Sequence, residues 1–351
     1  MTPSLDSAAR VRPGEELDLA VLNAYLRPLG VHEIKGVRQF PGGFSNLTYL
    51  LETASGAAFV LRRPPFGAQV KGGHDMGREF RVLTALRGAG YEKVPAPVAF
   101  CEDETVLGAP FYVMERVPGV ILRAADARSL NAPPEMMRTL CENLVDTLAD
   151  LHSLDLTTTD LGTLGKPEGY VPRQVEGWIG RYERSQTDDV PAMSELAAWL
   201  RQNLPPEQAP AFLHNDFKFD NVVLDPEIST EIRAVLDWEM ATVGDPLMDL
   251  GATLAYWCEP GDPDFLKAFN LTHLSGCLTR REVVQRYAAR TGRDVSAIGF
   301  YYAFGLYKNA VIIQQIYARW KAGLTRDPRF GSLLPGVFEL GRMGVTAGEE
   351  I

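Results

Sequence analysis

Ala211-Phe212-Leu213-His214-Asn215-Asp216-Phe217-Lys218-Phe219-Asp220-Asn221-Val222-Val223-Leu224, continued by Ile232-Arg233-Ala234-Val235-Leu236-Asp237-Trp238-Glu239, decides how this chain reads. Ala211 to Leu213 is a short apolar run entering a polar loop. Asn221 to Leu224 and Ile232 to Leu236 read as strands, with a turn over Pro226 to Thr230 between them. Such a hairpin brings Asn221 and Asp237 together at one end of the strand pair. Two oxygen-bearing side chains there suit Mg²⁺, which takes a few protein oxygens and completes its shell with phosphate and water. One Asp or Asn at a turn needs no such explanation, because its side chain bonds nearby backbone. The spacing His-x-Asp-x-Lys-x-x-Asn, followed by a second Asp, is harder to explain that way.

That spacing parallels the protein-kinase catalytic loop, whose Asp accepts the proton of the attacking hydroxyl while the Asn and the later Asp hold metal on the phosphates. Together with Leu236-Asp237-Trp238-Glu239 and Gly244-Asp245-Pro246-Leu247-Met248-Asp249-Leu250-Gly251, it resembles the aminoglycoside phosphotransferase and choline kinase group of small-molecule kinases. Within that group the chain is most similar to the branch also found fused to acyl-CoA dehydrogenases. The likeness runs over about residues 20 to 340. Protein kinases usually carry Asp-Phe-Gly where this chain has Asp237-Trp238-Glu239, and Ala-Pro-Glu does not follow. Asn215 is a departure from the group, where Gly is usual; the difference concerns the local loop backbone.

The resemblance implies an α+β, protein-kinase-like two-lobe fold. The small lobe, residues 1–116, is expected to be mainly antiparallel sheet plus a helix. The large lobe, residues 117–351, is expected to be mainly helical and to carry the catalytic loop and the acceptor site. The local patterns agree. Helical spacing covers residues 15–29, 76–88, 136–151, 170–182, 193–200, 246–257, 279–290, 297–320 and 333–343. Strand signals fall at 37–40, 47–52, 57–62, 98–100 and 111–116, and Val117-Pro118-Gly119 makes a hinge.

The resemblance assigns roles residue by residue. Asp216 is the expected base, and Lys218 the cation that neutralises the transferring phosphoryl. Asn221 and Asp237 are the expected Mg²⁺ ligands. Gly42, Gly43, Ser45 and Asn46 would cover the ATP phosphates, although Gly-Gly alone is also a hairpin turn. Arg62, in Phe59-Val60-Leu61-Arg62, parallels the Lys of V-A-I-K, with Glu79 as its helix partner; Arg63 would then point to the opposite face. A solvated strand-end pair is the alternative for the two arginines. Glu115 and Val117, beside Met114, would offer backbone to adenine. His214 reads as a brace for the loop, and Asp249 is implied to bond the loop backbone. Glu239 could reach metal or bind loop amides.

Composition narrows the partners. The 351 residues are 46% hydrophobic and 23% charged, ordinary for a globular protein. A net charge of -10 argues against nucleic acid. No apolar run reaches the roughly 18 residues of a membrane span, and Met1 to Pro13 lacks the apolar stretch of a secretion signal, so a cytoplasmic location is expected. Cys101, Cys141, Cys258 and Cys277 lack CxxC spacing and read as free thiols.

The expected activity is transfer of the γ-phosphoryl of ATP, with Mg²⁺, to a hydroxyl of a small molecule. The run Val295 to Arg326 has no Asp or Glu, but carries Lys308, Arg319, Lys321 and Arg326 among Tyr301, Tyr302, Tyr307, Tyr317 and Trp320. It is either plain helix core or an acceptor wall. As a wall it suits a neutral or anionic compound better than a polycationic aminoglycoside, which needs carboxylates. The other readings are a nucleotide-binding pseudokinase serving as an interaction module, and an aminoglycoside or other antibiotic kinase.

Overall fold

Alternation along two strands organises the first part of the molecule. In the structure, a computed structural model describing residues 7–40, 46–65, 75–124, 132–227, 230–268, 270–325 and 327–347, five strands form one antiparallel sheet. They are β1 (Ile34–Gln39), β2 (Leu47–Thr53), β3 (Ala58–Arg63), β4 (Pro97–Cys101) and β5 (Phe111–Glu115), in the order β1-β2-β3-β5-β4. Helix α1 (Leu19–Leu26) covers one face, where Leu22 and Leu26 meet Leu61 and Val113. Helix α2 (Met76–Gly88) covers the other, where Val82, Leu83 and Leu86 share a core with Val60, Tyr112 and Met114. Burying one such Leu stabilises by roughly 1.5–3 kcal/mol. A short helix, α3 (Glu104–Leu107), joins β4 to β5.

The same alternation separates the two arginines. Arg62 follows Val60 toward α2, whereas Arg63 follows Leu61 toward α1 and is 1% exposed, donating to the carbonyls of Leu107 and Pro64. The pair is therefore not a solvated strand end. The helix expected over 15–29 is shorter, because Asp18 caps it by accepting from Ala20 and Val21, and a 3₁₀ turn with Gly30 at φ 83° closes it.

Helices dominate the remainder: α4 (Pro134–His152), α5 (Tyr170–Ser185) and α6 (Pro191–Gln202) precede the loop region, and α7 (Pro246–Tyr256), α8 (Arg280–Thr291), α9 (Ile298–Lys321) and α10 (Leu334–Thr346) follow it. Between them lie β6 (Ala211–Leu213), β7 (Val222–Leu224), β8 (Ile232–Val235) and β9 (Thr242–Gly244). The hairpin read from sequence is the β7–β8 pair, and β6 pairs with β9. β9 has only three residues, too few to show a period.

Helices α7 and α9 touch backbone to backbone. A Cβ on Gly251 would sit 2.3 Å from the Tyr301 carbonyl, and one on Gly305 would sit 2.4 Å from the Gly251 carbonyl. Only glycine permits that approach. It brings α9 against α7, the helix that anchors the loop after β6. Tyr301, Tyr302 and Tyr307 are buried in the core, so the aromatic part of the proposed wall is mostly packing. Among the described residues no helix is long and apolar enough to cross a membrane, and all four cysteines are free.

Candidate active site

The loop after β6 is held from below by one carboxylate. Asp249, on the first turn of α7, accepts from the backbone N–H of His214 at 2.6 Å and of Asn215 at 2.8 Å. It also contacts His152 Nε2 at 3.2 Å. Burial opposes its charge, but the bond from His152, with those of the loop, outweighs burial and holds the carboxyl below its ordinary value. His214 braces the loop from the side: its Nε2 donates to the Leu236 carbonyl at 2.8 Å and its Nδ1 accepts from Asp216 N–H at 3.2 Å.

Asn215 has φ 64°, which accounts for its standing where the resembling group has Gly. Asn is the side chain that best tolerates this left-handed region after Gly. Its amide also donates to the Met240 carbonyl at 3.1 Å, which Gly could not do. The turn presents Asp216. Lys218 Nζ donates to both Asp216 carboxylate oxygens at 2.9 Å and lies over the Tyr256 ring at 4.5 Å. Asn221 Nδ2 donates to the Asp216 carbonyl at 2.8 Å and to Oδ2 at 2.9 Å. Lys218 thus sits on the expected base.

Across the cleft, Asp237 ends the hairpin with φ 65°. Trp238, buried beside it, donates from Nε1 to the Val235 carbonyl and packs on His214, locking the turn. Arg62 donates from Nη1 and Nη2 to Asp237 Oδ1 at 3.2 and 3.1 Å and pairs with Glu79 at 3.4 Å. Tyr112 OH donates to the same Glu79 oxygen, Oε2, at 2.8 Å. Asn46 spans Glu79 and Glu239 at 3.3 and 3.4 Å. Burial pushes the Glu79 carboxyl up despite Arg62. Burial, with the charge of Asp237, pushes Glu239 up to about 7.

Arg62, Tyr112, Asn221, Asp237 and Trp238 line a cleft with about 1100 Å³ of empty space, its mouth included, bordered also by Met114, Glu115, Val117 and Val223. Glu115 N–H is taken by the Ala96 carbonyl at 2.8 Å, and its side chain is exposed. Among the described residues, Val117 N–H has no acceptor. Gly42, Gly43 and Ser45 lie outside the described residues. The cleft fits Mg²⁺. Arg62 bonds only Oδ1 of Asp237, and the Asn221 amide NH₂ is turned to Asp216, so among the described residues Asp237 Oδ2 and Asn221 Oδ1 have no donor. No group of three His, Cys, Asp or Glu able to hold a metal occurs among the described residues.

A second cavity, about 660 Å³ with its mouth, lies beside the same loop. Asn215 is in its wall, with Arg78 from α2, Trp178 and Arg181 from α5, and Lys308 from α9. Of the cations in the run Val295 to Arg326, Lys308 alone among the described residues lines it: Arg319 is exposed, Lys321 pairs with Asp188 at 2.9 Å, and Arg326 is outside the described residues. Sequence reading missed Tyr112, Tyr256, Arg78 and Arg181. None stands in a short motif, since each reaches its neighbours from an element distant in the chain.

Comparison with known proteins agrees with this architecture. Residues 36–283 match the phosphotransferase enzyme family (APH). The chain is 36% identical over 310 residues to acyl-CoA dehydrogenase family member 10 of Mus musculus, covering 86% of this chain and 28% of that protein. A Ralstonia eutropha protein crystallised as a candidate aminoglycoside phosphotransferase superposes with a TM-score of 0.82 at 31% identity, covering 95% of this chain and 99% of that one. The streptomycin–ATP complex of APH(2″)-IIa, at 16% identity and a TM-score of 0.56 over 85% of this chain and 90% of that one, shares the fold. The chain spans well under half the length of the curated relatives it matches. It belongs to the phosphotransferase enzyme family.

Proposed function

We propose that this member of the phosphotransferase enzyme family moves the γ-phosphoryl group of ATP to a hydroxyl of a neutral or anionic small molecule. Asp216 receives the hydroxyl proton as the new O–P bond forms and the bond from the γ-phosphorus to the bridging oxygen of ADP breaks. Lys218 and Asn221 hold the Asp216 carboxylate in place, so little reorganisation is left for the reactive moment. Asn221 and Asp237 would hold Mg²⁺, which supplies positive charge to the phosphate oxygens when bound. Arg62, kept rigid by Glu79, faces the phosphates, and Val117 N–H offers a donor to adenine. Asn46 would reach the phosphates from the start of β2.

The observation that carries this reading is Asp216, clamped by Lys218 and by Asn221, with Asn221 lining one cleft together with Asp237 and Arg62. A coupled ADP-release assay with Mg-ATP and a panel of alcohols tests it. Hydroxy acids and their thioesters head the panel because curated relatives are named as acyl-CoA dehydrogenase family members. Acceptor-dependent ADP release is expected with a neutral or anionic alcohol. Turnover confined to aminoglycosides would assign an antibiotic kinase instead.

A pseudokinase reading draws on one observation: Arg62 engages Asp237, the residue that should take metal. It predicts Mg-independent nucleotide binding without turnover, which calorimetry with and without Mg²⁺ distinguishes.

A further inference from the structure

The cavity beside the catalytic loop has an unusual charge balance. Its lining carries three cations, Arg78, Arg181 and Lys308, and no Asp or Glu. None of the three has a carboxylate partner among the described residues. Arg78 spends its guanidinium on backbone carbonyls, those of Glu239 at 3.3 Å, Leu164 at 3.5 Å and Ala241. Arg181 lies over the Trp178 ring at 4.4 Å. Lys308 makes one hydrogen bond, to the Asn215 carbonyl at 2.7 Å, and is 4% exposed. An ammonium has three donors, so the remaining capacity of Lys308 is unused at a buried site. Burial disfavours its charged form, and a buried cation without a counter-charge is costly to keep.

This arrangement stands out in a chain with a net charge of -10. Elsewhere some buried or half-buried cations meet carboxylates, as Arg280 does with Asp262 and Arg286 with Asp146, and others, such as Arg63, donate to carbonyls one at a time; here three converge on one cavity. The three cations also come from three separate helices, so no single helix face explains them. They are graded in depth: Arg181 is exposed at the mouth, Arg78 is half-buried, and Lys308 lies at the floor against the residue preceding Asp216. Trp178, Tyr170 and Phe304 supply apolar surface between them.

We propose that this cavity is the acceptor site and that Arg78, Arg181 and Lys308 bind an anionic group, a carboxylate or a phosphate, carried by the hydroxyl compound. The proposal rests on the phosphotransferase reading and adds to it the residues and the sign of acceptor recognition. Arg181 meets the anion at the mouth, and Lys308 couples the filled cavity to the backbone of Asn215, next to Asp216. A polycation would have to enter against three like charges and find no carboxylate, which is the opposite of what its binding requires.

The test uses the full chain with its cleft saturated by Mg-ADP, so that added anions cannot bind there. Tryptophan fluorescence is titrated at constant ionic strength with 3-hydroxybutyrate, inorganic phosphate, 1,3-butanediol and 4-amino-2-butanol. Saturable binding of at least one anion is expected, with no response to the diol or the amine. Arg181→Gln, at an exposed position, and Lys308→Met should each weaken that binding by about fivefold or more, in line with loss of one charge-assisted hydrogen bond. Their Mg-ADP affinity should stay within about twofold, because neither side chain lines the nucleotide cleft. A response to hydroxybutyrate marks a carboxylate acceptor, and a response to phosphate alone marks a phosphorylated one. Absence of binding by both anions, equal binding of the amine, or undiminished binding in both variants overturns the proposal. Failure of Mg-ADP itself to bind instead removes the phosphotransferase reading.

Discussion

Two cavities flank the Asp216 loop, and they treat charge in opposite ways. At the inner end of the cleft toward the sheet, the cations nearest the loop and the hairpin already have carboxylates: Arg62 has Glu79 and Asp237, and Lys218, beside the cleft, has Asp216. In the cavity toward α5 and α9, Arg78, Arg181 and Lys308 have none among the described residues. A cleft of paired charges suits a ligand that arrives as a pair itself, phosphate with Mg²⁺. Its side chains need only exchange partners, and each is prepositioned by the one it leaves. A cavity of unpaired cations suits a ligand that brings the missing anion.

The largest effect should come from the residue between the two. Asp216→Asn keeps shape but cannot accept a proton, so turnover should fall about 10²–10⁴-fold. Mg-ATP affinity by calorimetry should barely change. Near-normal turnover would remove Asp216 from the chemistry and leave the two cavities unconnected.

Next, the charge contrast itself can be broken. Arg62→Ala strands Glu79 and Asp237, and removing one partner of a largely buried ion pair costs about 3–5 kcal/mol. Arg181→Gln strands no carboxylate, so thermal melting should be unchanged. Equal losses of Tm in the two variants would erase the distinction drawn above. Arg62→Ala should also weaken ATP far more than adenosine, since only ATP carries phosphates.

A smaller effect is expected at the metal. Asp237→Ala should reduce Mg-ATP affinity by about tenfold or more, while metal-free nucleotide binding changes less. Asn221→Ala should act in the same direction more mildly. Equal losses with and without Mg²⁺ would mean that Asp237 serves Arg62 alone.

The smallest effect concerns Glu239. Its carboxyl rises from an ordinary 4.5 to about 7 in the fold, chiefly through burial and Asp237. The folded state therefore holds a proton that the unfolded chain releases, and stability falls as pH rises from about 4.5 to about 7. Glu239→Gln should melt higher than wild type at pH 8 and alike at pH 4. A variant that melts lower at pH 8 would show that the Glu239 carboxylate is stabilising and that the cleft is less crowded with negative charge than its geometry implies.

Much of the nucleotide side was legible beforehand because its determinants are local. The loop spacing from His214 to Asn221, the β7–β8 hairpin and the helix at Met76–Gly88 each follow from neighbours in the chain. Asp249 bonds the loop as the resemblance implied. Where reading fell short, the missing information was long-range. That Lys218 sits on Asp216 with the Tyr256 ring beneath it is a matter of rotamer that the loop spacing does not specify. Arg63 had the look of a surface residue, yet the register of β3 turns it inward. The tyrosines of α9 had the look of a wall and are mostly core, because Gly251 and Gly305 draw α7 and α9 together.

By itself, then, the order of residues determined the fold class, the family and the residues expected at the chemistry, since strand alternation, helical period and loop spacing act over a few positions. Tertiary structure alone decided which charges are paired and which are not. Arg78, Arg181 and Lys308 stand on three helices, more than a hundred positions apart at the extremes. Whether a cation meets a carboxylate depends on distances of a few ångströms, set by packing such as the α7–α9 contact and by nothing within its own stretch of sequence.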